Sequence, residues 1–136
     1  GWGKPVMVNP RNFKNPMLDN LTVSLAGPIS NLFLAVLLGL IMRFLPINSL
    51  VENLLGIVVF YNLIFMFFNF LPIPPLDGSK ILGLFLPESV YLALQQYGVI
   101  ILLGILFFFR SGLSIIITRV VNFFFLMITG SVPAGL

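Results

Sequence analysis

The length of the apolar stretches is the feature that most constrains this fold. Long apolar sequence occupies residues 21–45, 54–71, 91–109 and 113–129. Only 8% of the residues are charged, against roughly 25% in a typical soluble domain, and the mean hydropathy is +1.11. Because about 20 apolar residues in a helix cross a bilayer, the sequence predicts an all-α polytopic membrane protein. We expect one membrane domain in contact with the lipid bilayer.

Residues 21–45, 54–71 and 91–109 are predicted to be transmembrane helices. The fourth stretch differs, because Ser114, Thr118 and Asn122 recur on one helical face and Arg119 lies mid-stretch. An arginine at membrane depth is costly. Residues 113–129 are therefore predicted as a C-terminal interfacial or fourth membrane helix, with the interfacial position favoured.

Residues 1–20 are polar and contain three prolines, which predicts an interfacial loop. The alternative is that residues 5–10 form a strand edge that pairs with an extended peptide. Asp19 or Asn20 is expected to cap the first helix.

Basic residues predict the orientation. The N-terminal segment carries Lys4, Arg11 and Lys14, which places the N-terminus on the cytoplasmic side by the positive-inside rule. Two crossings would return Lys80 to that side, whereas Arg43 and Arg110 would lie together on the other. The net charge of +3 therefore suits membrane orientation, and no nucleic-acid partner is expected.

A proline-rich break follows the second apolar stretch. Pro72, Pro74 and Pro75 precede Asp77 and Gly78. Proline lacks an amide hydrogen and ends helices, so the second helix should end near Leu71, and an extended segment should present Asp77. An ionisable residue at membrane depth is by default a functional candidate. A salt bridge to Lys80 is the structural alternative.

The first apolar stretch contains a polar, small-residue face. Gly27 and Asn31 are four residues apart and share one side of the helix, where small residues permit close helix approach. Asn31 is either a buried interhelical hydrogen-bonding group or a polar group directed into a site. In the second stretch, Asn62 is expected to contribute to packing, whereas Asn69 beside the break is a functional candidate.

The residue types exclude several chemistries. The chain has neither cysteine nor histidine, which removes disulfides, thiolate metal sites and the usual catalytic triads. A catalytic zinc site needs three protein ligands, and Asp77 is the one plausible ligand at depth. Broken helices also build transporter sites, but only one strong break is present here.

Three motifs resemble the site-2 protease family of intramembrane zinc metalloproteases, over about residues 1–110. The segment Asn69-x-x-Pro72-x-Pro74-x-Leu76-Asp77-Gly78 is similar to the motif that carries the family's third zinc ligand. The run at residues 26–31 resembles the family's preceding core helix. Residues 1–10 resemble the segment that links the zinc helix to that core helix in short prokaryotic members.

The resemblance implies a mechanism. Two histidines of an HExxH helix and Asp77 would hold zinc, and the HExxH glutamate would activate a bound water to cleave a membrane-spanning protein substrate in a prokaryotic cell membrane. Asn31 and Asn69 would hydrogen-bond the unwound substrate or the oxyanion. Gly27, Pro72 and Pro74 would contribute to substrate binding.

The chain departs from the family pattern in one respect, since it contains no HExxH. The sequence is therefore interpreted as the C-terminal part of a zinc protease, inactive alone and partnered by a missing N-terminal HExxH helix. Two alternatives stay open: a catalytically dead scaffold that binds single-span proteins, and a small transport component that uses Asp77 as an ion site.

Overall fold

The protein is a bundle of four α-helices with one short 3₁₀ helix. A computed structural model describes residues 16–133, with side chains from residue 18. In this range the elements are α1 (Pro16–Phe44), α2 (Ser49–Phe70), the 3₁₀ helix (Asp77–Leu84), α3 (Glu88–Phe108) and α4 (Arg110–Thr129). All four α-helices are long and apolar enough to cross a membrane. The prediction of an all-α polytopic membrane protein is confirmed.

The ends of the helices follow local sequence signals. Helix α1 begins at Pro16, so Asp19 lies in its first turn and is not its cap; the predicted capping role of Asp19 or Asn20 is wrong. Helix α2 is capped by Asn48, whose side chain accepts a hydrogen bond of 2.9 Å from the Val51 amide. Residues 1–15, which include the predicted strand edge and part of the predicted loop, lie outside the described range.

Helices α1, α2 and α4 share the apolar core. The buried apolar side chains of this core come from all three helices: Ala35, Val59, Phe60, Leu63, Met66, Val121 and Phe125. The rings of Phe60 and Phe125 meet edge-on, with centroids 6.4 Å apart. Many large apolar side chains on the outer faces are exposed, as expected where lipid is the solvent.

Helix α4 packs against the bundle and runs in the same direction as α1. Near the end of α1, Arg43 donates a 2.8 Å hydrogen bond to the Met127 carbonyl oxygen in the last turn of α4. A β-carbon on Gly39 would meet the Ile128 side chain. Helix α4 is also long and apolar enough to span a membrane.

The same contact corrects the predicted distribution of arginines. Arg110 begins α4, whereas Arg43 contacts its last turn. A helix of 20 residues is about 30 Å long. Arg43 and Arg110 therefore lie at opposite ends of the bundle, and the prediction that they share one end is wrong.

Candidate active site

The chain reverses direction after α2. The helix ends at Phe70, and Leu71 is extended, with φ −61° and ψ 133°. Turn hydrogen bonds then link the Ile73 amide to the Leu71 oxygen at 2.8 Å and the Leu76 amide to the Ile73 oxygen at 2.9 Å. The Pro74–Pro75 bond is cis. The segment is thus extended only in parts, and Asp77 is the first residue of the 3₁₀ helix.

Asp77 lies beside the middle of α1. A β-carbon built on Gly27 would lie 3.5 Å from Asp77 Oδ2. The Asp77 side chain is half-buried, and within residues 16–133 it makes no ion pair with Lys80 and no hydrogen bond. The salt-bridge alternative therefore has no support, and both carboxylate oxygens are free to bind a ligand.

Close backbone packing fixes the position of Asp77. A β-carbon on Gly78 would collide with the Phe70 carbonyl oxygen and would lie 2.7 Å from the Leu71 oxygen. Only glycine permits such an approach. The neighbouring Ser79 is fully buried, and its Oγ donates a 2.7 Å hydrogen bond to the Leu76 oxygen. The backbone on both sides of Asp77 is therefore held against the end of α2.

One face of α3 supports the same segment. Positions 91, 95 and 98 share a helical face. They contact Gly83, Ser79 and Pro74, respectively, in the stretch from Leu71 to Leu84 that follows α2, here called the reversed segment. Gln95 Nε2 donates to Ser79 Oγ at 3.4 Å. A β-carbon on Gly98 would lie 2.9 Å from the Pro74 carbonyl oxygen.

This supporting role of α3 was not predicted from the sequence. The spacing of Tyr91, Gln95 and Gly98 was the available signal, but the target of that face could not be read from the sequence. Pro74 is buried under Gly98, whereas Pro72 is exposed. The two prolines predicted to bind substrate thus occupy different environments.

The asparagines separate into two kinds. Asn62 donates a 2.8 Å hydrogen bond to the Val58 oxygen of its own helix, so its hydrogen bond does not join two helices. Asn31, one turn after Gly27 on α1, and Asn69, at the end of α2, are both half-buried. Neither side chain makes a hydrogen bond within the described part of the chain, so both amides are available to a bound molecule.

The metal-binding potential of these residues rests on Asp77. Residues 16–133 contain no group of three His, Cys, Asp or Glu side chains that could hold a metal. Asp77 fits the role of one ligand, because it is an unpaired carboxylate beside a glycine that leaves its oxygens accessible. The remaining ligands of a three-ligand site are not among these residues.

Comparison with known proteins identifies the family. Residues 45–113, about half of the chain, match Peptidase family M50. The match runs from the turn before α2, through the break and Asp77, to the start of α4. The chain belongs to Peptidase family M50, the site-2 protease family. The resemblance drawn from the three motifs is confirmed.

Two of the curated relatives that match this chain are named as putative zinc metalloproteases. The Bacillus subtilis (strain 168) protein "Putative zinc metalloprotease YwhC" is 39% identical over 76% of this chain and 52% of its own length. "Putative zinc metalloprotease MJ0611" of Methanocaldococcus jannaschii is 42% identical over 47% of this chain and 34% of its own. "Stage IV sporulation protein FB" of Bacillus subtilis (strain 168) is 29% identical over 55% of this chain and 25% of its own.

The M50 chain thus spans about half, or less, of the length of these relatives. No solved structure matches it. Membership in family M50, together with four helices able to span a bilayer, supports an integral membrane protein of a zinc metalloprotease family.

Proposed function

We propose that this chain is the C-terminal part of an intramembrane zinc metalloprotease that cleaves membrane-spanning proteins. The observation that carries the proposal is the half-buried carboxylate of Asp77, which lies beside Gly27 without an ion pair or hydrogen bond in the described residues. A charged group at such a position is costly unless a ligand compensates it. A metal ion provides that compensation.

Asp77 would bind zinc together with two histidines of an HExxH helix that this chain does not contain. Zinc, when bound, supplies Lewis acidity and a nucleophile at neutral pH. The chain alone would be inactive, because it has no histidine or cysteine with which to complete the site. Membership in family M50 favours this reading over the scaffold and transport alternatives.

Asn31 and Asn69 would bind the substrate. A peptide bond inside an intact helix is not accessible, so the substrate must be unwound locally, and its freed backbone groups then need partners. The two amides can donate to a backbone carbonyl or to the oxyanion that forms at the cleaved bond. Gly27 would leave room for the chain, and Pro72 and Pro74 would shape the segment next to it.

The depth of the site agrees with this role. Gly27 is 11 residues after the start of α1, or about 17 Å along the helix, so Asp77 lies well inside the bundle. We place the N-terminal side of the bundle in the cytoplasm of a prokaryotic cell. Arg110, now assigned to the end opposite Arg43, adds a positive charge to that side.

The experiment compares Asp77→Ala with Glu52→Gln in the full-length protein that contains this chain. Glu52 is an exposed carboxylate in the first turn of α2, at the other end of the bundle. We expect Asp77→Ala to abolish both zinc retention, measured by metal analysis, and cleavage of a single-span reporter in proteoliposomes. Glu52→Gln should retain both. Normal zinc content and cleavage in Asp77→Ala would overturn the ligand assignment.

A further inference from the structure

A chain of hydrogen bonds links α3 to the peptide group that precedes Asp77. Gln95 Nε2 donates to Ser79 Oγ at 3.4 Å, and Ser79 Oγ donates to the Leu76 carbonyl oxygen at 2.7 Å. The Ser79 amide donates to the same oxygen at 3.1 Å. Because this carbonyl belongs to the planar peptide group that ends at the Asp77 nitrogen, the bonds act directly on the backbone that carries the Asp77 side chain.

The groups in this chain fix its direction. A carbonyl oxygen only accepts hydrogen bonds, so the Ser79 hydroxyl donates its single hydrogen to Leu76. The lone pairs of the hydroxyl then remain for the Gln95 amide, which donates an N–H. Donation from Gln95 therefore directs the hydroxyl hydrogen towards Leu76. Since hydrogen bonds in series polarise one another, it also strengthens the bond that follows.

Burial makes the Ser79 hydroxyl difficult to replace. Ser79 is 0% exposed, and the adjacent Gly78 lies so close to α2 that a β-carbon would collide with the Phe70 carbonyl oxygen. A buried acceptor that loses its donor is not compensated by bulk water, so without the hydroxyl the Leu76 oxygen would keep only the longer bond from the Ser79 amide. In residues 16–133, the bond from Gln95 is the one hydrogen bond between a side chain of α3 and the reversed segment.

We propose that Gln95 and Ser79 are positioning residues for the carboxylate of Asp77. They hold the peptide group between Leu76 and Asp77 in the orientation that directs the carboxylate towards Gly27. This inference deepens the proposed function and rests on it, because it concerns the geometry of the proposed zinc ligand. Gln95 makes no hydrogen bond to Asp77 itself, so its effect on the carboxylate passes through Ser79.

Cobalt binding to the full-length protein tests this role. Gln95→Met keeps the length of the side chain and removes the donor. Gln96→Met makes the same exchange at a neighbouring exposed residue that has no hydrogen bond in the described part of the chain, and it is the matched control. Competition with a chelator measures the affinity for Co²⁺, and the visible absorption of the bound ion reports the arrangement of its ligands.

We expect Gln95→Met to lower the affinity roughly twofold to tenfold and Ser79→Ala to lower it roughly tenfold to a hundredfold, as for other groups that orient a metal ligand. Both should shift the absorption bands of cobalt, whereas Gln96→Met should change neither quantity. In the Ser79→Ala protein, adding Gln95→Met should cost less than about twofold more, because the two residues act in series.

Two results would overturn the proposal. A lower affinity with unshifted absorption bands in Gln95→Met would mean that the substitution weakens the fold without moving the ligand. Effects of Gln95→Met that are equal in the presence and absence of the Ser79 hydroxyl would mean that Gln95 does not act through Ser79.

Hydrogen exchange in the metal-free protein separates this proposal from the proposed function. The readout is the exchange rate of a proteolytic peptide that covers residues 71–84 and includes the Ser79 amide. Gln95→Met should speed its exchange severalfold, and Gln96→Met should not; equal rates in the two variants would overturn the positioning role. Retention of cobalt with unchanged absorption in Asp77→Ala would instead contradict the zinc-ligand assignment, and the exchange rates would still decide whether Gln95 and Ser79 hold the segment.

Discussion

At the scale of single residues, Gly27 determines how much space lies beside the carboxylate of Asp77, the proposed zinc ligand. An added β-carbon would lie 3.5 Å from Asp77 Oδ2, which is an ordinary van der Waals distance. A branched side chain would reach about 1.5 Å further and would displace the carboxylate. The site therefore has room for one additional carbon atom and not for more.

We expect Gly27→Ala to retain zinc and Gly27→Val to weaken its retention. A carboxylate pushed from its rotamer costs about 0.5–1.5 kcal/mol, which corresponds to roughly a twofold to tenfold loss of affinity. Competition with a chelator measures both variants in the full-length protein. Equal retention in the two variants would show that Gly27 does not adjoin the metal-binding carboxylate.

Asn31 allows a second test at this scale, because its amide makes no hydrogen bond within residues 16–133. If it binds substrate or oxyanion, Asn31→Ala should lower turnover by roughly a hundredfold to a thousandfold, the range seen when an oxyanion donor is removed, and zinc content should change little. Parallel metal analysis and cleavage assays measure the two quantities. Equal losses of zinc and turnover would make Asn31 a structural residue.

At the scale of elements, α3 acts as a support for the segment that carries Asp77. Its contact face consists of Tyr91, Gln95 and Gly98, and Gly98 is the one buried residue in the helix. The reversed segment, in turn, has few regular hydrogen bonds of its own. Irregular backbone at membrane depth is stable where protein covers it, and α3 supplies part of that cover.

Two glycines of α3 form a matched pair for a test of this support. A β-carbon on Gly98 would collide with Pro74, whereas one on Gly104 would meet nothing within 4 Å. Gly104→Ala should raise the free energy of unfolding by up to about 1 kcal/mol through helix propensity. Gly98→Ala should lower it by about 1–3 kcal/mol through overpacking and should also reduce zinc retention. Detergent unfolding and metal analysis distinguish the two, and equal behaviour would refute the support role.

At the scale of the whole molecule, the hydrogen bond from Arg43 to the Met127 oxygen joins the first and last helices. The last four carbonyl groups of a helix lack partners within it, and a cation at that end also complements the helix dipole. The guanidinium lies 5.8 Å from the centre of the Phe44 ring. This contact holds the last turn of α4 against the end of α1.

Replacing Arg43 should therefore lower the free energy of unfolding without changing zinc binding at the candidate site. Arg43→Met should lower the free energy of unfolding by about 1–2 kcal/mol, and Arg110→Met, at an exposed position without a hydrogen bond in the described residues, should change it by less than about 0.5 kcal/mol. Gly27 is 16 residues, or about 24 Å, from Arg43 along α1, so zinc content should be unchanged. Unfolding curves that coincide for the two variants would contradict this prediction.

The sequence determined the features that depend on local chemistry. The apolar stretches predicted the membrane helices because hydrophobic length is a local property. The prolines at positions 72, 74 and 75 predicted the end of α2 within one residue, because proline excludes helix geometry wherever it occurs. Asp77 was singled out as a functional candidate because a carboxylate in such a setting is costly, and the resemblance to the family then suggested its role as a zinc ligand.

Only the tertiary structure decided which residues meet. Gly27 and Asp77 are 50 positions apart, and no periodicity predicts that their side chains face each other. The face of α3 that supports the Pro74 segment, and the end of the bundle on which Arg110 lies, depend on the direction in which each helix packs. Helix direction and long-range contacts follow from the summed packing of all the elements, whereas the position of a helix end follows from a few neighbouring residues.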